Sequence, residues 1–219
     1  MSQINPASPL DPGRTITVVS GMPRSGTSMM MQMLEAAGFP IATDGQRFAD
    51  VDNPKGYYEL EVVKRLPKDT SFLKSVVGQV VKVVAPLLRC LPPVYDYRVI
   101  FMERDLDEVL ASQREMLDRN AGGDVRRVDD EALARAFTRQ LREVVLWLAE
   151  QENIRTCFVS HRLAVASPIE VSESVSEFLE RTGAFAPPLG TSNAKELAPT
   201  RMAGVVDASL YRLRRSRKV

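Results

Sequence analysis

The sequence contains little cysteine and almost no net charge. Cys90 and Cys157 are its two cysteines, too few for a disulfide framework and not spaced as zinc ligands. Lys and Arg number 29 against 28 Asp and Glu, a formal net charge of +1, so no overall field attracts nucleic acid or an anionic membrane. We therefore expect a reducing, cytoplasmic location, no nucleic-acid or membrane partner, and anion binding only at local sites.

Long hydrophobic runs are also missing. Residues 1–14 are polar and lack the apolar region of a secretory signal. The most apolar stretch, 76–91, is interrupted by two basic residues and a proline and is too short to cross a bilayer. The remaining composition is globular, with 44% hydrophobic residues over a length of 219. We predict a flexible segment at 1–14, one domain at 15–205 and a basic tail at 206–219.

Short β-branched runs alternate with helical patterns along the chain. The predicted strands are 15–20, 79–84, 97–102 and 153–160, and the predicted helices are 27–37, 57–66, 105–117, 129–150, 168–181 and 206–215. Asp105 and Glu108 form a capping-box-like start for one helix, whereas 44–56 and 119–130 are predicted as loops. This alternation predicts an α/β fold: three layers of P-loop type, with a central, mainly parallel sheet flanked by helices.

The motif that carries chemistry is a glycine-bounded loop at residues 21–28, Gly-Met-Pro-Arg-Ser-Gly-Thr-Ser. Between a strand and a helix, such a loop binds an anion through inward amides, hydroxyls and the helix N-terminus. A nucleotide-hydrolase loop has Lys followed by a Mg²⁺-binding Ser or Thr. Thr27 stands in that Lys position, and the cation comes three residues earlier as Arg24. Metal-dependent phosphoryl transfer is therefore disfavoured, and no metal is expected.

The same segment resembles the 5′-phosphosulfate loop of P-loop sulfotransferases, in the branch with a Pro-Arg-Ser-Gly-Thr loop. The resemblance implies 3′-phosphoadenylyl sulfate (PAPS) as donor and 3′,5′-diphosphoadenosine (PAP) as product. The residues that it implies for the 5′-phosphate and the phosphosulfate bridge are Pro23, Arg24, Ser25, Gly26, Thr27 and Ser28.

Two further segments are similar to the same family. Arg104 follows the strand at 97–102 and Ser112 lies eight residues later, a pair that in the family binds the 3′-phosphate of the donor. His161 stands where the family has a Tyr, near the adenine, and is assigned to the same contact. The family's Arg-Lys-Gly motif, which clamps the donor, has no evident counterpart. The resemblance covers residues 16–179.

The function implied by the resemblance is transfer of a sulfuryl group to a hydroxyl or amine of a small-molecule acceptor. Arg24 would stabilise the charge that develops on the leaving phosphate. A nucleotide or small-molecule kinase on the same scaffold is one alternative, and a non-catalytic nucleotide-binding protein is another. The identity of the acceptor and the oligomeric state stay open.

The reaction also needs a base that takes the acceptor's proton. The candidates are Asp44, Asp52, Glu59, Glu61 and His161. Glu59 is favoured, because in a helix over 57–66 it shares the inward face with Val62 and Val63. Glu61 would face solvent together with Lys64.

Overall fold

The centre of the molecule is a single sheet. Its strands are β1 (Gln3–Ile4), β2 (Thr15–Gly21), β3 (Ile41–Ala42), β4 (Val80–Lys82), β5 (Asp96–Glu103) and β6 (Ile154–Ser160). Their order is β1-β6-β5-β2-β4-β3; β6 to β3 are parallel, and β1 pairs antiparallel with β6. This computed structural model describes residues 2–4, 9–46, 49, 53, 56–120, 130–184 and 194–210.

The central strands are buried on both faces. All seven residues of β2 and the first seven of the eight in β5 are buried, which explains their continuous apolar runs. Val18 pairs in register with Val99, and Val19 with Ile100. The first pair joins one apolar cluster and the second pair joins another. The sheet therefore separates two cores.

Helices cover both faces of the sheet. They are α1 (Thr27–Ala36), α2 (Leu106–Asn120), α3 (Asp130–Glu150), α4 (His161–Ala166), α5 (Pro168–Arg181) and α6 (Ala194–Gly204), with 3₁₀ turns at Glu61–Arg65, Ser71–Val76, Ala85–Cys90 and Ala208–Leu210. Leu148 of α3 packs into the first core, and Met30 of α1 and Val175 of α5 pack into the second. The predicted α/β class with a mainly parallel central sheet is confirmed. None of the described helices is both long and apolar enough to span a bilayer.

Most predicted elements lie within one or two residues of their observed bounds. The strand predicted at 97–102 is β5, and the helices predicted at 129–150 and 168–181 are α3 and α5. Asp105 Oδ1 accepts bonds from the amides of Asp107 and Glu108 at 2.9 and 3.4 Å. The side chain of Asp105 therefore caps α2, as the sequence predicted.

The prediction of a helix at 57–66 is wrong. A 3₁₀ turn covers Glu61–Arg65 alone, residues 56–60 have no helical structure, and Tyr58 has a φ of 53°. The carbonyl oxygen of Tyr57 accepts bonds from Ser28 Oγ at 3.3 Å and Lys82 Nζ at 2.7 Å. Tertiary hydrogen bonds thus replace the helical ones, which propensity and periodicity do not reveal.

The chain ends also differ from the prediction. Of the helix predicted at 206–215, residues 206–207 are not helical, Ala208–Leu210 form a 3₁₀ turn, and 211–215 lie outside the described residues. Helix α6 was not predicted because it contains Pro199, which normally ends a helix. In the segment predicted as flexible, β1 extends the sheet. Of the loop predicted at 119–130, the first two residues end α2 and 121–129 lie outside the described residues.

The packing of α3 on the sheet can be tested with two leucines of that helix. Leu148 is 0% exposed and Leu146 is 57% exposed. Leu148→Ala should lower the free energy of unfolding by about 2–5 kcal/mol, because it opens a cavity in the core. Leu146→Ala should change it by less than about 0.5 kcal/mol. Urea unfolding followed by circular dichroism measures both, and equal effects would contradict the assigned face of α3.

Candidate functional site

Three neighbouring strands deliver the candidate site residues to one edge of the sheet. β2 runs into the loop that precedes α1, β5 ends just before Arg104, and β6 ends just before His161. In the registers of these parallel strands Gly21 pairs with Met102, and Glu103 with Ser160. Ligands of open parallel sheets bind in the crevice at the carboxyl ends of the strands. The structure therefore places the predicted loop where such a ligand would bind.

The backbone of the loop needs its glycines. Gly26 has a φ of 95°, and a Cβ there would clash with the ring of His161. A Cβ on Gly21 would clash with Ser25 Oγ and would lie 2.7 Å from the carbonyl oxygen of Met102. Arg24 has a φ of 69°, a conformation that costs a non-glycine residue free energy and that is common at ligand-binding loops.

The polar groups of the loop suit an anion. Ser25 is 1% exposed, and its hydroxyl has no hydrogen-bond partner in the described structure. Leaving a buried hydroxyl unsatisfied costs free energy, which an anionic oxygen would recover. The residue that precedes α1 is Gly26, so no side chain caps the first amides of this helix, and such amides bind phosphate. Of the other predicted loop residues, Pro23 is exposed and Thr27 is buried.

The loop cation contacts both residues that the resemblance assigned to the 3′-phosphate. Arg24 Nε donates to Ser112 Oγ at 2.9 Å. Arg104 Nη1 donates to the carbonyl oxygen of Arg24 at 2.8 Å, and Arg104 Nε donates to Glu108 Oε2 at 3.0 Å. Residues that lie 80 and 88 positions from Arg24 thus form one polar cluster on the α2 side of the loop.

On the other side of the loop lies a cation that the sequence analysis missed. Lys82 ends β4, and its Nζ donates to Ser28 Oγ at 3.2 Å and to the carbonyl oxygen of Tyr57 at 2.7 Å. The same Nζ is 3.7 Å from Glu59 Oε1. The sequence did contain a signal: a buried lysine in an apolar strand is rare and usually has a specific partner.

The other base candidates occupy different surroundings. The Asp44 carboxylate is exposed and accepts bonds from the amides of Glu61 and Gln46 at 2.6 and 3.0 Å, which hold its pKa below the ordinary value. Glu61 pairs with Lys64 at 2.7 Å on the surface. Asp52 lies outside the described residues. Of the four carboxylates, Glu59 is the one that the described structure places beside Lys82.

His161 lies under the loop. It is 7% exposed, and its ring packs so closely against Gly26 that no Cβ fits between them. Burial, followed by the nearby Arg104 guanidinium, lowers the pKa of this imidazole from 6.5 to about 4. His161 is therefore neutral at pH 7, and such a low pKa makes it a weak general base.

The fold is shared with known structures at low sequence identity. No protein-family model and no curated protein matches the chain. A sulfotransferase from Mycobacterium avium aligns with a TM-score of 0.53 and 13% identity, over 91% of this chain and 70% of that one. The TM-scores of two sulfotransferase domains are lower. The domain from the Synechococcus PCC 7002 olefin synthase has 0.44 with 16% identity over 95% and 85% of the two chains. The domain from the curacin biosynthetic pathway has 0.47 with 17% identity over 93% and 90%. The first alignment establishes a common fold.

The buried histidine predicts a pH-dependent stability. The unfolded imidazole takes up a proton as the pH falls below 6.5, whereas the folded one, with a pKa of about 4, does not. Stability is therefore lost as the pH falls from 6.5 towards 4. Between pH 7 and pH 5 this group should lower the free energy of unfolding by about 2 kcal/mol.

Urea unfolding at the two pH values measures this loss. His161→Gln is the control, since His161 is the only histidine in the chain and the carboxylates contribute equally to both proteins. The variant should lose about 2 kcal/mol less than the wild type over the same interval. The same loss in both proteins would show that the imidazole is not held neutral by burial.

Proposed function

We propose that this protein transfers the sulfuryl group of PAPS to a hydroxyl or amine acceptor and releases PAP. The observation that carries the proposal is the loop itself, in which the buried Ser25 hydroxyl and the uncapped start of α1 form an anion cradle. Cations flank it on both sides, Arg24 with Arg104 on one and Lys82 on the other. Thr27 stands where a nucleotide hydrolase has its lysine.

The donor would extend along the carboxyl edge of the sheet. The Ser25 hydroxyl and the first amides of α1 would hold the 5′-phosphosulfate, with Pro23, Gly26, Thr27 and Ser28 shaping the loop. Arg104 and Ser112 would hold the 3′-phosphate, since both already contact Arg24. His161 would support the loop beneath Gly26 and would contact the adenine.

The reaction is a direct displacement at sulfur. The acceptor oxygen or nitrogen bonds to the sulfur while the bond from sulfur to the oxygen of the 5′-phosphate breaks, and the electron pair stays on that phosphate. Arg24 and the α1 N-terminus stabilise the charge gained by the phosphate. Glu59 takes the acceptor's proton. The Lys82 ammonium, 3.7 Å from Glu59 Oε1 and 3.2 Å from Ser28 Oγ, ties this carboxylate to the loop.

Nucleotide binding tests the donor assignment. PAP should bind at least about tenfold more tightly than ATP, because the 3′-phosphate adds charge-assisted hydrogen bonds that ATP cannot make. Its affinity should be the same with and without EDTA, since the phosphates contact arginines and amides. Isothermal titration calorimetry with PAP, ATP and ADP measures these affinities. Tighter binding of ATP that requires Mg²⁺ would instead support the kinase alternative.

The base assignment is tested with a pair of neighbouring glutamates. Glu59→Gln should lower kcat by about 10²–10⁴, the usual contribution of a general base, and leave the affinity for PAP unchanged. Glu61→Gln changes charge equally two residues away, on the exposed pair with Lys64, and should leave kcat nearly unchanged. Sulfuryl transfer to a panel of phenols and amines provides the assay. Retained turnover in Glu59→Gln would exclude Glu59 as the base.

A further inference from the structure

Arg104 already has an anionic partner. Its Nε donates to Glu108 Oε2 at 3.0 Å, and the two side chains are 10% and 21% exposed. Glu108 lies in the first turn of α2, whose start is fixed by the Asp105 cap. The pair is therefore held on a rigid element, in surroundings that screen charge less than bulk water does. A carboxylate thus shares the guanidinium assigned to the 3′-phosphate.

The two arginines of this cluster differ in their partners. Arg24 donates to the uncharged hydroxyl of Ser112. Arg104 forms an ion pair with Glu108, so the net charge of that pair is zero. A phosphate that binds Arg104 would share the guanidinium with the Glu108 carboxylate, and two negative charges so close together repel each other. Glu108 therefore lowers the electrostatic attraction between the Arg104 guanidinium and a phosphate, compared with an Arg104 that has no carboxylate partner.

We propose that Glu108 sets the affinity for the 3′-phosphate by competing with it for Arg104. This inference rests on the proposed function, because it takes the 3′-phosphate of the donor and product as the ligand. Glu108 weakens the hold of the site on PAPS and on PAP, because both carry this phosphate. Product release limits turnover in many enzymes, so weaker binding of the 3′-phosphate would let PAP leave the site faster.

The test compares two substitutions on one helical turn. Glu108→Gln removes the charge but keeps an oxygen that can accept the bond from Arg104 Nε, whereas Asp107→Asn removes a charge from the adjacent, exposed position. Glu108→Gln should tighten PAP by about tenfold and leave 5′-AMP, which lacks a 3′-phosphate, unchanged. Asp107→Asn should change neither affinity. Calorimetry with PAP and 5′-AMP measures both, after thermal unfolding has shown that the variants fold.

Three results would overturn the competition. Weaker PAP binding in Glu108→Gln would mean that the carboxylate positions Arg104 for the phosphate. Equal tightening of PAP and 5′-AMP in Glu108→Gln, or equal tightening of PAP by Asp107→Asn, would mean a general effect of net charge. Glu108→Ala provides a second check, because competition predicts tighter PAP binding there also, whereas positioning predicts the largest loss.

Failure of the proposed function gives a different result. If PAP binds to no variant, the donor assignment fails, and inorganic phosphate then decides the role of Glu108. The Arg104 Nε–H resonance, followed by NMR, should shift at an about tenfold lower phosphate concentration in Glu108→Gln than in the wild type. The same titration midpoint in both proteins would refute the competition without reference to any nucleotide.

Discussion

The close approach of β2 to β5 at the end of the sheet determines the geometry of the candidate site. Gly21 lies so near the carbonyl oxygen of Met102 and the hydroxyl of Ser25 that no side chain fits there. The chain must therefore turn immediately after β2, and the turn brings Arg24 beside Arg104, which follows β5. The parallel register then brings the end of β6, with His161, under Gly26. One steric constraint thus assembles residues from three connections that are far apart in sequence.

Charge within this assembly is balanced locally. Lys82 has Glu59 and Arg104 has Glu108 as carboxylate partners, at 3.7 and 3.0 Å, and Arg24 donates to the hydroxyl of Ser112. Buried cations without partners would be costly, so the pairing allows a cationic site to exist in a chain whose net charge is +1.

The sequence predicted the sheet and the loop because local signals determine both. A buried parallel strand needs a β-branched run such as β2, and the turn after it needs glycine at Gly21 and Gly26. Lys82 was missed because its partners, Ser28 and Tyr57, lie 54 and 25 residues away, and no periodicity encodes such contacts. Helix α6 was missed for a related reason. Its buried Met202 packs into the second core, and this packing outweighs the local cost of Pro199.

The surroundings of Glu59 differ from those that the sequence predicted, and its side chain is 26% exposed. The predicted helix over 57–66 placed Glu59 on an inward stripe, but the segment before Glu61 is not helical. The backbone around Glu59 is held instead by a bond from Thr43 Oγ1 to the Glu59 carbonyl oxygen at 2.9 Å and by the bonds that Lys82 and Ser28 donate to the carbonyl oxygen of Tyr57, two residues earlier. The bonds from Ser28 and Lys82 attach this segment to α1 and to β4. The position of the carboxylate therefore depends on the same lysine with which it pairs, and the two residues form one structural unit at the mouth of the loop.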